Sequence, residues 1–330
     1  MKKVSVVILN WNGRHLLTQF LPSVVQHTDS WLADIVIVDN DSDDDSLLFM
    51  EEQYPKIRTI SLSQNYGFAE GYNRALEQIN SQYVVMLNSD VEVTKNWLST
   101  AIKYMDANRD VAALQPKILS YKDKSSFEYA GAAGGFIDIY GYPFCRGRVF
   151  SNVEKDTGQY DKPIDVFWAS GACLIIRLKE FKEVGRFDDN FFAHQEEIDL
   201  CWRLNARGKR IVCLPSSVVY HLGGATLKVE NPEKVYLNFR NNLLMLYKNL
   251  PDKYYEKVMK IRYFLDHLAV VQFFIKGEIG SANAVLRARQ DFLQMKEEYT
   301  QIRRENLAKT QVETPKGMYK KSILKKYYFK

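Results

Sequence analysis

The first half of the chain alternates short apolar runs with stretches in which apolar residues recur at every third or fourth position. The runs are rich in β-branched residues and predict buried strands at residues 4–9, 35–38, 58–62, 83–87 and 112–119. The stretches between them, such as residues 68–79, carry the apolar stripe of an amphipathic helix. This alternation predicts an α/β fold with a mostly parallel, Rossmann-like sheet flanked by helices.

The rest of the chain departs from this alternation. Residues 120–163 are rich in Gly, Tyr and Phe without periodicity, which suits an irregular insertion or an antiparallel flap. From Pro232 onward the pattern is helical, with a break near Gly280. We therefore divide the chain into a main domain of residues 1–250 and a helical C-terminal extension of residues 251–330.

Polar residues follow three of the predicted strands at the point where each strand ends. The clusters are Asn10-Trp11-Asn12, Asp39-Asn40-Asp41-Ser42 and Asn88-Ser89-Asp90. Ligands of such sheets bind beyond the carboxyl ends of the strands, so these clusters are candidates for a binding site. The Asp39 carboxylate can accept hydrogen bonds from a base or a ribose hydroxyl, although the same residues also suit a tight turn.

Asp90 is the candidate ligand for a metal ion. Hard divalent cations prefer oxygen ligands and keep open positions for phosphate oxygens, and Asp90 emerges from a buried strand beside Asn88 and Glu92. Capping of the helix that begins near Trp97 is the alternative explanation. His221 stands at a strand end before a glycine pair, where it could complete a metal shell or serve as a structural hydrogen-bonding group.

Three acidic residues, Glu196, Glu197 and Asp199, open a predicted helix shortly after Phe191 and Phe192. The helix dipole by itself favours acidic residues in a first turn. Packing behind two phenylalanines should also remove water from these carboxylates. Because burial beside like charges raises the pKa of a carboxyl group, the cluster is a candidate general base.

The net charge of +5 belongs to the end of the chain. Residues 296–330 contain ten Lys or Arg and four Glu, so the preceding residues are close to neutral, which disfavours a nucleic-acid partner. Lysines alternate with aromatic residues in 316–330, which suits either an anionic membrane surface or a frayed, solubilising end. The apolar residues of 261–275 suit either packing against the main domain or contact with a lipid-linked acceptor.

Two kinds of sequence motif are missing, and their absence disfavours several classes of protein. Neither G-x-G-x-x-G nor G-x-x-x-x-G-K-[ST] occurs, which disfavours a dinucleotide-dependent dehydrogenase and a P-loop NTPase. The four cysteines stand apart without Cys-x-x-Cys spacing, which disfavours a zinc site or a disulfide framework. They predict buried, reduced thiols and therefore a cytoplasmic location.

These motifs recur together in one known family. The matching elements are residues 4–12, Val38-Asp39-Asn40-Asp41-Ser42, residues 65–73, Leu87-Asn88-Ser89-Asp90, Ser170-Gly171-Ala172, Val184-Gly185-Arg186-Phe187-Asp188, residues 196–203, His221-x-x-Gly224-x-Thr226 and Tyr236-x-x-x-Arg240-Asn241. In this order they resemble the inverting family 2 glycosyltransferases with a GT-A fold, in particular the rhamnosyltransferase-like branch. The likeness covers residues 3–250 and fades beyond Pro251.

The resemblance implies a donor site for a nucleotide-sugar. Asp39 would hydrogen-bond the pyrimidine, and Asn10 would line the same pocket. Asn65 and Asn73 would border the donor site. Arg240 would help to neutralise the leaving diphosphate.

The resemblance also implies a metal site and a base. Asp90 would bind Mg²⁺ or Mn²⁺ at the donor diphosphate, with His221 as a candidate second ligand. Glu196 and Glu197 match the acidic pair that deprotonates the acceptor hydroxyl, and Glu197 is the favoured base. The chain departs from the family in having Asn88 where an aspartate is usual and a Glu-Glu pair where Glu-Asp is more common.

The activity implied is that of an inverting, metal-dependent glycosyltransferase in surface polysaccharide synthesis. The donor would be a UDP- or dTDP-sugar, with dTDP-rhamnose as one candidate, and the acceptor a glycan or a polyisoprenyl-linked sugar. The enzyme would work at the inner face of the cell membrane. Two alternatives stay open: a sugar nucleotidyltransferase, and a non-catalytic carbohydrate- or membrane-binding protein on the same scaffold.

Overall fold

The computed structural model describes residues 2–223 and 231–328 and contains strands and helices in the alternating order that the sequence predicts. The strands are β1 (Val4–Asn10), β2 (Ala33–Asp39), β3 (Arg58–Ser61), β4 (Tyr83–Asn88), β5 (Val91–Val93), β6 (Val111–Ser120), β7 (Gly135–Asp138), β8 (Pro143–Cys145), β9 (Arg148–Val149), β10 (Asn152–Val153), β11 (Ile164–Asp165), β12 (Cys173–Arg177), β13 (Arg210–His221) and β14 (Met318–Tyr319). The helices are α1 (Arg14–His27), α2 (Ser46–Gln53), α3 (Gly67–Glu77), α4 (Trp97–Ala107), α5 (Leu178–Val184), α6 (Glu196–Ala206), α7 (Pro232–Asn249), α8 (Asp252–Ile275), α9 (Ile279–Met295), α10 (Tyr299–Ala308) and α11 (Ile323–Tyr328).

The larger sheet of the described chain has nine strands in the order β11–β13–β6–β12–β4–β1–β2–β3, with β5 paired to β13. Strands β1, β2, β3, β4, β6 and β13 run in one direction, and β5, β11 and β12 run in the other. The sheet is therefore mostly parallel, as the sequence predicts. Because β12 is antiparallel, its amino end lies at the same edge as the carboxyl ends of its neighbours.

Alternate side chains of the central strands enter two separate cores, one on each face of the sheet. In β1, Val4, Val6 and Ile8 pack with α1 and α4, whereas Val7 packs with α3 on the opposite face. All four side chains are at most 2% exposed. Helices thus flank the sheet on both sides, which confirms the predicted α/β fold.

The aperiodic segment forms an antiparallel flap. Strands β7, β8, β9 and β10 pair in series, and β14 from the end of the chain adds a parallel fifth strand to β7. Ile323 of α11 is 1% exposed, and its amide donates to Asp138 Oδ2 at 2.9 Å. The described part of the tail is therefore packed against the flap and is not frayed.

The C-terminal helices share a core with the main domain. Val258, Phe292 and Tyr299 belong to the same buried cluster as the residues of α3 and α6. The break after α8 falls at residues 276–278, where Gly277 has a φ of +76° and ends the helix, and Gly280 lies inside α9. Among the described helices, none has both the length and the apolar composition required to cross a membrane.

All four cysteines are buried and unbridged. This confirms their interpretation as small apolar side chains, and burial raises the pKa of the Cys145 thiol to about 11.

Candidate active site

The predicted polar clusters meet at one edge of the sheet because of how its strands are paired. Asn10 is in register with Asp39 across β1 and β2, and Leu9 is in register with Asn88 across β1 and β4. The β5–β13 pairing sets His221 opposite Val91, directly after Asp90. Residues far apart in the sequence therefore lie side by side at the carboxyl ends of parallel strands, where such sheets bind ligands.

One end of this edge presents buried hydrogen-bonding groups. Asp39 and Asn10 are 2% and 1% exposed. The Asn10 amide lies 3.4 Å from Asp39 Oδ1 and 3.3 Å from Ser42 Oγ, and Asp39 Oδ2 accepts from the Ser42 amide at 3.0 Å. Asn10 Oδ1 is buried without a hydrogen-bond partner among the described residues, so it is an unsatisfied acceptor at this end of the edge.

Asn40 is a second buried amide side chain at this end. Its place in the cluster Asp39-Asn40-Asp41-Ser42 does not by itself predict a separate role. Its Nδ2 donates to Asn65 Oδ1 and to the Gly67 carbonyl, each at 3.0 Å, and its Oδ1 accepts from the Tyr66 amide at 3.0 Å. Asn40 therefore holds the segment before α3 against the end of β2. This places Asn65 beside the Asp39 cluster through its partner Asn40.

The centre of the edge contains Asp90, His221 and Glu128. Asp90 Oδ1 lies 3.1 Å from His221 Nε2, and Glu128 Oε2 lies 3.2 Å from His221 Nδ1. Asp90, His221 and Glu128 are each at most 6% exposed. Asp90 Oδ2 also accepts from the Gly223 amide at 3.2 Å. Glu128 comes from the aperiodic segment, where the sequence offered no signal for it.

The two carboxylates determine the charge of His221. Burial alone would lower the pKa of His221, but its contacts with Asp90 and Glu128 outweigh burial and raise that pKa to about 10. His221 and Asp90 thus stabilise each other's charged forms. Within residues 2–223 and 231–328, no group of three or more His, Cys, Asp or Glu side chains is arranged to hold a metal ion by itself.

The acid pair at the start of α6 lacks any cationic partner among the described residues. Glu196 is 5% exposed and Glu197 is partly buried, and Oε2 of each is a buried oxygen with no hydrogen-bond partner in the described chain. Burial, followed by the charge of Glu197, raises the pKa of Glu196 well above its usual value. Burial also raises the pKa of Glu197 to about 7, although the amides of Glu197, Ile198 and Gly171 oppose the change.

Burial outweighs the helix dipole at this pair. The dipole stabilises a carboxylate in a first turn by about 0.3–1 kcal/mol. A pKa raised from 4.5 to about 7, as at Glu197, corresponds to a cost of ionisation on the order of 3 kcal/mol. The pair can therefore accept a proton near neutral pH.

Asp199, the third acid of the cluster, has the opposite environment. It is fully buried, but Arg203 Nε donates to its Oδ2 at 3.0 Å and Lys248 Nζ donates to the same oxygen at 3.0 Å. Burial would raise the pKa of Asp199, yet the charges of Arg203 and Lys248 hold that pKa below its usual value. Asp199 is therefore a structural anion and not a proton acceptor.

A series of contacts through the amino end of β12 links the acid pair to the central group. The Gly171 amide is near Glu197, and the preceding Ser170 hydroxyl donates to the Ala130 carbonyl. Ala130 in turn donates its amide to Glu128 Oε2. The amino end of β12 thus connects the acid pair to the Asp90–His221–Glu128 group.

The loop before the acid pair has a strained backbone. Phe192, His194 and Gln195 have φ angles of +58°, +70° and +73°. Each such residue costs on the order of 1–3 kcal/mol, so the surroundings must hold the loop in place.

Helix α7 supplies most of that support. The Asn241 amide donates to the carbonyls of Phe191, Ala193 and His194 at 2.8, 3.0 and 2.8 Å. Asn242 Nδ2 donates to Gln195 Oε1 at 3.1 Å, directly before the acid pair in the chain. Asn241 belongs to the motif Tyr236-x-x-x-Arg240-Asn241, but the sequence pattern alone does not predict this supporting role.

Two predicted donor-site residues make contacts elsewhere. Arg240 donates from Nη2 to the Asn190 carbonyl at 2.7 Å and from Nε to Asn241 Oδ1 at 2.9 Å, so its guanidinium supports the loop. Asn73 binds both main-chain groups of Phe187 at 3.1 Å and lines a separate cleft of 590 Å³ beside α10. The structure brings neither side chain to the Asp90 group, and Gly224 and Thr226 of the predicted histidine motif lie outside the described residues.

Known sequences match the chain over its catalytic part. Residues 5–185, more than half of the chain, match the profile described as Glycosyl transferase family 2. The N-acetylglucosaminyl-diphospho-decaprenol L-rhamnosyltransferase of Mycobacterium tuberculosis is 25% identical over 234 residues, which cover 66% of this chain and 75% of that protein. Rhamnosyltransferase WbbL of Escherichia coli K12 is 27% identical over 198 residues, or 57% of this chain and 72% of that protein.

Solved structures share the fold. TarS 1-349 of S. aureus in complex with UDP-GlcNAc has a TM-score of 0.58 at 18% identity and covers 94% of this chain and 89% of its own. GalNAc-T7 with UDP, GalNAc and Mn²⁺ has a TM-score of 0.58 at 18% identity over 77% of this chain, which spans 49% of that protein. These likenesses confirm the predicted GT-A fold.

Proposed function

The chain belongs to glycosyl transferase family 2, and we propose that it transfers a sugar from a UDP- or dTDP-sugar to a glycan or lipid-linked acceptor in surface polysaccharide synthesis. The observation that carries the proposal is the Glu196–Glu197 pair, which has raised pKa values and no cationic partner among the described residues, and which the amino end of β12 connects to the Asp90–His221–Glu128 group. The rhamnosyltransferase relatives make dTDP-rhamnose a candidate donor.

The donor base would bind at the Asp39 end of the edge. Asp39 and the unpartnered Asn10 Oδ1 are both acceptors, so they suit the ring N–H of a uracil or thymine base. Asn40 and Asn65 shape the wall of this pocket through their hydrogen bond of 3.0 Å. Asn73 and Arg240 would act on this site indirectly, through the segments that they hold.

Asp90 and His221 would hold Mg²⁺ or Mn²⁺. Their facing atoms are 3.1 Å apart, and His221 would have to release the proton that its raised pKa retains before Nε2 could act as a ligand. Two protein ligands suffice because such ions usually take their remaining ligands from substrate phosphates and water. When bound, the ion would neutralise the leaving diphosphate. Glu128, beside the other ring nitrogen, would orient His221.

Glu197 would act as the general base. It is more exposed than Glu196, which supports its assignment as the group that faces the acceptor. The acceptor oxygen would bond to the anomeric carbon as its proton passes to Glu197 and the carbon–phosphate-oxygen bond breaks. A single displacement of this kind inverts the anomeric centre. Glu196 is the more deeply buried member of the pair, and burial followed by the charge of Glu197 raises its pKa well above its usual value.

The location and organisation of the protein are part of the proposal. We place it at the cytoplasmic face of a membrane because its cysteines are unbridged and a relative is named for a decaprenol-linked substrate. The catalytic domain would comprise residues 1–250, with residues 251–330 as the helical extension. The basic tail would contribute to contact with anionic lipid.

The test is release of nucleoside diphosphate from a panel of UDP- and dTDP-sugars with Mn²⁺ or Mg²⁺. Glu197→Gln should reduce turnover by about 10²–10⁴-fold, since the base is lost. Asp90→Asn should weaken Mn²⁺ binding, which electron paramagnetic resonance measures without turnover. Glu52→Gln, at an exposed position of α2, is the matched control and should behave as wild type. Wild-type turnover in both site variants would refute the site assignment.

A further inference from the structure

The outer side of α8 carries a continuous row of exposed apolar residues. Phe264, Leu268, Val271 and Ile275, here called the α8 stripe, are 64%, 49%, 53% and 82% exposed. Their spacing of four, three and four residues aligns them along one face of the helix. The row extends over about 16 Å, and Ile279 at the start of α9 is also 56% exposed.

The opposite side of α8 is fixed to the body of the protein. Arg262 and Asp266 are 2% and 0% exposed. Arg262 Nη1 donates to the Tyr140 carbonyl at 3.0 Å, and Arg289 Nη1 donates to Asp266 Oδ2 at 2.5 Å. Because α8 cannot rotate without breaking these buried contacts, the α8 stripe is held facing outward.

Lysines continue the same face toward the amino end of α8. Lys253, Lys257 and Lys260 are exposed and follow the spacing of the α8 stripe. Of these, Lys253 and Lys260 contact Glu313 and Glu256 only in exposed ion pairs, which water and salt weaken. One face of one helix therefore combines a basic half with an apolar half.

A second group of lysines lies on the neighbouring tail. The β7–β8 turn contacts α8 through the Tyr140 carbonyl and contacts α11 through Asp138 Oδ2. The tail and α11 expose four lysines, which are Lys320, Lys321, Lys325 and Lys326. The tail lysines therefore lie across the β7–β8 turn from α8, on the side where Arg262 fixes the helix, and the lysines on the face of the α8 stripe are those of α8 itself.

We propose that the α8 stripe inserts into the interface of an anionic phospholipid bilayer, with the flanking lysines on lipid phosphates. Interfacial helices have this combination of apolar and basic side chains. A second copy of the chain fits less well. A parallel pair of α8 helices would oppose lysine to lysine, and an antiparallel pair would bury lysines against apolar residues. The inference deepens the proposed function, since the bilayer would present a lipid-linked acceptor.

The test is flotation of the full chain with vesicles of phosphatidylcholine, with and without phosphatidylglycerol. Replacing Phe264 and Leu268 together by Ser should reduce partition onto anionic vesicles by about tenfold or more, as expected for lost apolar contact. The control replaces Trp31 and Leu48 by Ser, which are 72% and 53% exposed elsewhere on the surface, and should float as wild type.

Charge is tested separately. Lys257→Glu with Lys260→Glu should abolish the preference for phosphatidylglycerol, and wild-type binding should weaken but persist at high salt because the apolar contact is not screened. Lys103→Glu, an exposed lysine of α4, is the control. Wild type that fails to float, or a Phe264/Leu268 variant that floats equally well, would overturn the inference. So would a wild-type dimer that depends on these two residues and binds no vesicles.

Failure of this inference is distinguishable from failure of the proposed function. Nucleoside diphosphate release is measured without vesicles and should be unchanged in the Phe264/Leu268 variant. Nucleoside diphosphate release without flotation would overturn only the proposal that the α8 stripe binds a bilayer. Flotation without release from any nucleotide-sugar would overturn only the enzymatic proposal.

Discussion

At the scale of single residues, α6 shows how environment assigns different roles to chemically similar groups. Asp199 is fully buried but paired with two cations, so its pKa stays low. Glu196 is buried in the same turn without a cation, so its pKa is raised. The difference follows from which side chains α7 and α6 direct at each carboxylate, and it separates a structural anion from a proton acceptor.

Glu196→Gln should stabilise the protein at neutral and alkaline pH. A carboxyl group whose pKa is raised on folding contributes its full stability below its unfolded pKa of 4.5 and loses it as pH rises through the folded pKa. A neutral amide avoids that loss, so the unfolding free energy should increase at neutral and alkaline pH and hardly change below the unfolded pKa of 4.5. Thermal melts across this pH range measure the effect.

Asp199→Asn is the contrasting variant. It should lower stability at neutral pH by about 3–5 kcal/mol, because Arg203 would lose its buried carboxylate partner and Lys248 would keep only Asp188. A Glu196→Gln melting curve that shifts equally at acid and alkaline pH would contradict the raised pKa of the pair.

At the scale of elements, the start of α3 and the strained loop before α6 support each other. The Phe192 carbonyl accepts from the amides of Phe68 and Ala69 at 2.6 and 3.1 Å. A Cβ atom on Gly67 would lie 2.5 Å from the Phe192 ring and 2.7 Å from its carbonyl oxygen. Only glycine therefore permits this close approach, which links the start of α3 to the loop before the acid pair.

Gly67→Ala should displace the loop and reduce both stability and turnover. The matched control is Gly277→Ala, because Gly67 and Gly277 have φ angles of +73° and +76°, but a Cβ on Gly277 would meet nothing within 4 Å. Backbone strain should lower the free energy of unfolding of both variants by about 1–2 kcal/mol. The clash should lower that of Gly67→Ala by a further 1–3 kcal/mol, roughly. Urea denaturation and nucleoside diphosphate release measure the two effects. Equal losses in both variants would refute the coupling.

At the scale of the whole molecule, the end of the chain completes structures built from its middle. Strand β14 joins the flap by parallel pairing with β7, and Gly317 approaches the backbone so closely that a Cβ would lie 2.3 Å from the Phe167 amide nitrogen. The C-terminal extension also reaches the site, since Arg262 donates to Asn242, which binds Gln195. Extension and catalytic part should therefore unfold together.

Ile323→Ala tests this cooperation. The side chain is 1% exposed, so its truncation should lower the unfolding free energy by about 2–5 kcal/mol in a single transition. Val312→Ala, at a position 36% exposed, is the control and should change stability by less than about 1 kcal/mol. Calorimetry that shows a separate, early transition for Ile323→Ala would contradict cooperative unfolding.

The strands, the flanking helices and the polar residues at strand ends were predictable because they depend on local patterns. Apolar periodicity selects strand or helix within a few residues, and parallel strands bring their carboxyl ends to one edge. Asp39 and Asp90 were proposed as site residues on this basis, and the Glu196–Glu197 pair from its position at the start of a helix behind two phenylalanines. The mostly parallel sheet followed from the same alternation.

Glu128, the loop support by Asn241 and Asn242, and the packing of the tail were decided by tertiary structure alone. Glu128 stands in a segment without periodicity. Its candidate role depends on His221, whose Nδ1 the fold places 3.2 Å from Glu128 Oε2. The pKa of each acid also depends on neighbours from distant parts of the chain. The sequence by itself therefore determined which residues emerge at the ends of strands, whereas folding determined their partners, because burial and pairing are properties of side chains brought together in space.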